Sequence, residues 1–169
     1  LHIGMNQEML SNSTSNCSKS VLFLMKKLPS TVKIYLERDN TAPLMLLLQN
    51  IVMVNITIDI KYISLTFDMC NLVNTTIKAN GTHKQVIIFR NTTISWMVFT
   101  YLEFENYHII KFLNCSFMKI YKNYRNAIIK LTKTNHFYMN KCILYTQTEP
   151  IILIQDCDEI HIDHIQVLY

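Results

Sequence analysis

A short internal repeat constrains the fold of this chain more than any other feature. Strand-like segments rich in apolar residues recur at intervals of about 22 residues, with one longer step where a polar insertion at positions 119–126 intervenes. Aligning the segments brings six positions into register: Leu48, Cys70, Thr92, Cys115, Cys142 and Ile165. A unit of this length cannot bury its own apolar side chains, so successive units must stack on one another.

The residue types in these units favour strands over helices. Half of the 169 residues are apolar, with Ile, Val, Phe, Tyr and Thr prominent, and only 17% are charged, which excludes a disordered chain. Two or three short strands per unit are what one coil of a parallel β-helix requires, with neighbouring coils about 4.8 Å apart. The repeat therefore predicts an all-β solenoid of about six coils, with the six aligned positions forming an interior ladder.

The N-terminal part of the chain has a different pattern. Residues 1–17 are polar and are expected to form a loose lead-in. Residues 18–28 fit one short capping helix, with Ser18 or Ser20 as N-cap and Pro29 ending it. Residues 18–169 are predicted to form a single β-helix domain. Because the last segment is strand-like, the domain is expected to continue, so that further coils or a partner cover its C-terminal end.

The five cysteines are too few for a disulfide scaffold in a chain of this length. None has Cys-X-X-Cys or zinc-like spacing. Three of them share the aligned repeat position, where a small apolar thiol packs well inside a narrow solenoid. Because Cys115 and Cys142 fall on consecutive coils, a disulfide between them is the alternative interpretation.

Asparagine triplets indicate where the chain resides. Seven of the sixteen asparagines begin an Asn-X-Ser/Thr triplet, the acceptor for N-linked glycans in secreted proteins. Chance placement of Ser and Thr would give about two, although a β protein rich in Asn and Thr also generates such triplets by accident. The excess favours an extracellular location, secreted or as an ectodomain, with acceptors at Asn12, Asn16, Asn55, Asn74, Asn80, Asn91 and Asn114.

Three segments carry a family resemblance. The first segment begins with Asn16-Cys-Ser and an apolar stretch, and continues with Leu-Pro and then Thr-Val-Lys-Ile-Tyr-Leu-Glu. The other two segments are residues 49–58 and residues 112–117, and the last of these reads Phe-Leu-Asn-Cys-Ser-Phe. This order resembles the cap and coils of extracellular right-handed β-helix proteins with the pectate-lyase-like fold. The resemblance covers residues 16–169 and implies a right-handed solenoid. The chain departs from it at Arg38-Asp-Asn40, which replaces the usual glycine turn.

An acidic and histidine-rich group is the best candidate for chemistry: Asp156, Asp158, Glu159, His161, Asp163 and His164. The resemblance implies a candidate activity, because enzymes with the pectate-lyase-like fold process acidic polysaccharides through clustered carboxylates, calcium or an Arg/Lys base. Strand alternation places His161 and Asp163 on one face. A solvated turn and strand surface is the favoured interpretation, with calcium binding and catalysis as alternatives. No catalytic residue, cofactor or metal is therefore predicted.

Other side chains are interpreted mainly as packing residues. For Trp96, packing is favoured over a role as a platform for sugar rings. Five other aromatic residues fit two interpretations equally well, packing or an exposed stripe that contacts carbohydrate or a partner: Tyr101, Phe104, Tyr107, Tyr121 and Tyr124. The histidines His83, His108 and His136 have no ligand-like spacing. The net charge of +4 is dispersed, which argues against nucleic acid, and no apolar run is long enough to span a membrane.

These features predict a non-catalytic extracellular module for recognition, adhesion or structure. Its expected partners are proteins or carbohydrates at a cell surface, because solenoids present long, rigid lateral faces. The alternative is part of a polysaccharide lyase or hydrolase whose active groups lie partly on further coils. A leucine-rich repeat is disfavoured because Leu-X-X-Leu-X-Leu-X-X-Asn does not recur.

Overall fold

The computed structural model describes residues 2–5, 32–37, 45–96, 101–119, 128–145 and 152–168. Within them the chain is an all-β parallel solenoid of about five turns, without helices. The predicted fold class is therefore confirmed. The predicted capping helix at residues 18–28 lies outside the described residues, as does most of the predicted lead-in.

The described elements are seventeen short strands. In chain order they are β1 His2–Met5, β2 Val32–Glu37, β3 Met45–Gln49, β4 Val52–Val54, β5 Ile56–Lys61, β6 Ser64–Asp68, β7 Asn71–Val73, β8 Thr76–Asn80, β9 Val86–Arg90, β10 Thr93–Trp96, β11 Leu102–Glu105, β12 Ile109–Leu113, β13 Ser116–Lys119, β14 Ile129–Asn140, β15 Ile143–Tyr145, β16 Ile152–Asp163 and β17 Gln166–Leu168.

Each coil contributes one strand to each of three faces. Face A contains β3, β6, β9, β12 and residues 136–140 and 159–163, and face B contains β4, β7, β10, β13, β15 and β17. Face C contains β2, β5, β8, β11 and residues 129–132 and 152–155. Because β14 and β16 run continuously from face C to face A, those two faces, together with β1 at the edge beside β2, form one eleven-stranded sheet. Described pairings are parallel except that of β1 with β2, which is antiparallel.

Residues in the left-handed backbone conformation form the corners between faces. Between faces A and B, the backbone has positive φ at Asn50, Met69, Asn91, Asn114, Lys141 and His164. Each corner N–H from Asn50 to Lys141 donates to a carbonyl of the next coil, at 2.9–3.2 Å. Asparagine tolerates this conformation better than most residues, which explains why a chain with two glycines can turn so often.

The residue after the A–B corner donates a hydrogen bond to the corner itself. The Cys70 thiol lies 3.4 Å from the carbonyl two residues earlier and 3.2 Å from a carbonyl of the preceding coil. The Thr92 hydroxyl makes the same two contacts, at 2.9 and 3.3 Å. Cysteine and threonine share this position because each is small and carries a donor, a role beyond the apolar packing expected of the cysteines.

The register corrects one member of the predicted interior ladder. Cys70, Thr92, Cys115, Cys142 and Ile165 all lie one residue before paired strands of face B. In the first coil that position belongs to Ile51, because Val52 pairs with Asn71. Leu48 instead pairs with Phe67 on face A. The first complete coil is shorter than the repeat, so carrying a constant spacing backward placed Leu48 out of register.

The core is one continuous apolar column inside the three faces. Its centre is a stack of phenylalanines from consecutive coils, in which Phe89 lies 4.7 Å from both Phe67 and Phe112. At the last coil, inward-facing Ile160 and Ile162 are about half exposed, at 49% and 53%, because no described residue covers them. That further coils or a partner cover this end stays a prediction.

Gly81 fills a position with no room for a side chain. A Cβ atom there would lie 2.6 Å from the backbone oxygen of Asn106 on the next coil. We expect Gly81→Ala to lower the free energy of unfolding by about 1–3 kcal/mol, because the coils must move apart. Urea denaturation measures the loss, with Lys84→Ala in the same loop as control. Equal stability of the two variants would contradict the predicted clash.

Candidate binding surface

The outer side of face A changes character along the solenoid. Its first coil presents the apolar side chains of Met45 and Leu47, which are 60% and 50% exposed. The fourth to sixth strands of this face present charged, aromatic and imidazole groups instead. We call these residues the face A cluster: His108, Lys111, His136, Tyr138, Glu159 and His161.

Three members of the cluster form one column across consecutive coils. Lys111 pairs with Tyr138, and Tyr138 with His161, in the parallel register of face A. The Lys111 Nζ lies 4.6 Å from the centre of the Tyr138 ring, and the His161 ring stacks nearly parallel to the Tyr138 ring, with ring centres 4.8 Å apart. The coil spacing enforces this contact, because outward side chains in register are about 4.8 Å apart.

A carboxylate links the column to a second histidine. Glu159 Oε2 lies 3.0 Å from His136 Nδ1 and 3.4 Å from His161 Nε2. Hydrogen bonds from His161 and His136 hold the pKa of Glu159 below its ordinary value, so this half-exposed group is an anion and a hydrogen-bond acceptor. The rings of His108 and His136 meet nearly at right angles, with their centres 5.1 Å apart.

The structure brings together only part of the acidic and histidine-rich group. Glu159 and His161 belong to the face A cluster. Asp163 lies on the same face, but its carboxylate contacts His164 Nδ1 at 2.7 Å. Asp156 has a φ of 53° at the corner between faces C and A. Aspartate tolerates this left-handed conformation, so the corner itself explains why an aspartate occupies the position. Asp158 is exposed near the same corner.

The two carboxylates on the last strand of face A are badly placed for glycoside hydrolysis. Glu159 and Asp163 are four residues apart on one extended strand, which separates their Cα atoms by about 13 Å. Paired glycosidase carboxylates lie about 5–9.5 Å apart. The cluster offers hydrogen-bond donors, an anion and the edges of stacked rings, which suits binding better than hydrolysis.

Sequence reasoning missed most of the cluster. Lys111 and Tyr138 were not singled out, and His108 and His136 were interpreted as histidines without ligand-like spacing. Their contacts join residues on different coils, far apart in sequence, which no local motif detects. A signal was present, however, because the same two repeat steps that align Cys115 with later coils also align Lys111, Tyr138 and His161.

The described sequon asparagines lie at or near coil corners. Asn55, Asn74, Asn91 and Asn114 have positive φ, whereas Asn80 ends β8. They form amide ladders: Asn74 Nδ2 donates to Asn55 Oδ1 at 2.6 Å, and Asn114 Nδ2 to Asn91 Oδ1 at 3.3 Å. Corner geometry is thus a second reason for asparagine at these positions. Asn12 and Asn16 lie outside the described residues.

The remaining aromatic candidates are placed as follows. Trp96, Phe104 and Tyr107 are buried, and the Tyr107 hydroxyl donates to the backbone oxygen of Ile63 at 3.4 Å. Tyr101 is half-buried on face C, with Lys130 Nζ 5.1 Å from its ring centre. The other two, Tyr121 and Tyr124, lie outside the described residues.

Among the residues that the structure describes, no group of three or more His, Cys, Asp or Glu could hold a metal ion. No helix in those same ranges is long and apolar enough to cross a membrane. No protein-family model, curated protein or solved structure matches the chain.

Proposed function

We propose that this chain is a non-catalytic recognition module that binds an acidic carbohydrate on face A. The observation that carries the proposal is the outward-facing column of Lys111, Tyr138 and His161 beside Glu159. Ammonium and imidazole groups pair with carboxylate or sulfate groups, and the carboxylate accepts from hydroxyls. A flat parallel face holds these groups at a fixed spacing, so little ordering accompanies binding.

The same proposal includes the fold subtype and the location. The subtype is the right-handed, pectate-lyase-like one, supported by three strands per coil and asparagine at the A–B corners. The location is extracellular, with N-linked glycans at the exposed corners. Three of the five described acceptors, Asn55, Asn91 and Asn114, are exposed at positive-φ corners, and none of the five lies within a strand of face A.

Binding to a polyuronate tests the function. We expect immobilised polygalacturonate to retain the chain, with neutral dextran as the uncharged comparison. Tyr138→Ala should weaken binding about ten-fold, because it removes the ring between Lys111 and His161. Tyr145→Ala is the matched control, since Tyr145 is an exposed tyrosine on face B.

Three results would count against this proposal. Equal affinity of the Tyr138 and Tyr145 variants would remove the face A cluster from the binding site. Equal retention on dextran would remove the acidic ligand. Release of unsaturated or reducing ends from polygalacturonate would contradict the non-catalytic assignment and favour the lyase or hydrolase alternative.

Glycan mapping tests the location. We expect the chain secreted from eukaryotic cells to lose several glycan masses when N-glycans are removed enzymatically. Thr57→Ala and Ser116→Ala should each remove one acceptor, at Asn55 and Asn114, without altering the asparagine. An intact mass that does not change on glycan removal would contradict the extracellular assignment while leaving the polyuronate measurement interpretable.

A further inference from the structure

Two thiols meet inside consecutive coils. Cys115 and Cys142 directly precede Ser116 and Ile143, which pair in parallel on face B. Both cysteines are buried, at 1% and 0% exposure. Each thiol donates to the carbonyl two residues earlier, Cys115 at 3.5 Å and Cys142 at 3.4 Å, so the two side chains have the same orientation on neighbouring coils. Stacked residues on adjacent parallel strands have Cα atoms about 4.8 Å apart, within the range of about 4.4–6.8 Å that disulfides require.

We propose that Cys115 and Cys142 form a disulfide bond between consecutive coils when the chain folds in the presence of a small-molecule disulfide such as oxidised glutathione. The bond would close the coil that has the longest repeat step, which runs from Cys115 to Cys142. The inference is independent of the ligand and of the location proposed above.

The chemistry is two successive thiol–disulfide exchanges. While the coils are still open, the thiolate of one cysteine attacks a sulfur of oxidised glutathione and releases one glutathione thiolate. As the coils stack, the other cysteine thiolate attacks the protein sulfur of that mixed disulfide and releases the second glutathione. The cysteines lose two protons and two electrons, which leave as two molecules of reduced glutathione.

The stacking order selects this pair among the described cysteines. Thr92 occupies the equivalent position in the coil between Cys70 and Cys115, so those two cysteines are two coil spacings, about 10 Å, apart. Disulfides do not bridge Cα atoms more than about 7 Å apart without backbone movement. Cys157 lies after a different corner, between faces C and A, where it pairs with Thr134.

Thiol counting tests the proposal. The chain is refolded from denaturant with oxidised and reduced glutathione, quenched with acid, unfolded and alkylated, and its intact mass is measured. Three alkylated cysteines are expected, against five after full reduction. Peptide mapping should then show Cys115 linked to Cys142. Far-ultraviolet circular dichroism checks that each variant folds.

Two serine variants sharpen the result. Cys115→Ser keeps a hydroxyl donor at the corner and should show four alkylated thiols with or without glutathione. Cys70→Ser is the matched control and should still lose two thiols on oxidation. Five free thiols in the refolded wild-type chain, a retained glutathione, or a linkage between any other two cysteines would each overturn the proposal.

Discussion

Replacing Phe89 by alanine is expected to lower the free energy of unfolding by about 3–5 kcal/mol. The Phe89 ring is fully buried and stacks between Phe67 and Phe112 at 4.7 Å on each side. It also makes an edge-type contact with the Phe104 ring, with ring centres 5.9 Å apart. Its removal leaves a cavity that neighbouring coils cannot close, because their hydrogen-bonded spacing is fixed at about 4.8 Å.

Urea denaturation followed by circular dichroism measures this effect. Ile88→Ala is the matched control, since Ile88 lies on the same strand but faces outward and is only half-buried. Phe89→Leu should cost less than Phe89→Ala, because most of the volume is kept. The proposed phenylalanine stack would lose its central role if Phe89→Ala were no more harmful than Ile88→Ala.

Asp68→Asn is expected to cost about 2–3 kcal/mol, because it removes the charge from a hydrogen-bonded, buried carboxylate. The Asp68 side chain is 3% exposed although it lies on the outer side of face A. Arg90 donates to both of its oxygens at 3.0 Å, and Asn91 and Gln49 donate at 3.3 and 3.2 Å. The four bonds join three consecutive coils, so weakening them loosens that side of the solenoid.

The same residue predicts a pH dependence. Hydrogen bonds from Arg90 hold the pKa of Asp68 below its ordinary value, against the opposing effect of burial. A carboxyl group with a lowered folded pKa stabilises the fold fully above its unfolded pKa of about 3.9. That contribution is lost as the pH falls through the lower folded pKa.

Comparison of variants isolates this contribution. The stability gap between wild type and Asp68→Asn should be largest above about pH 4 and should narrow below it. Urea midpoints at a series of pH values measure the gap. Asp59→Asn, at a half-buried carboxylate on face C, is the control and should show a smaller gap. A gap independent of pH would contradict the role given to the Asp68 charge.

The candidate site could be foreseen only in part. Glu159 and His161 stood out because charged residues cluster locally around residues 156–164. Lys111 and Tyr138 did not, since each is an ordinary strand residue until two coils stack. The insertion that lengthens the repeat step between Cys115 and Cys142 also hides their alignment from any fixed period.

The sequence by itself determined that this chain stacks short parallel strands, because units of about 22 residues with alternating apolar side chains must bury them against one another. Tertiary structure alone decided which outward residues meet, since register between coils depends on the length of every corner. It placed Ile51 where Leu48 was expected, and it set Glu159 against His136. Coil spacing converts residues far apart in sequence into neighbours about 4.8 Å apart, which no local pattern encodes.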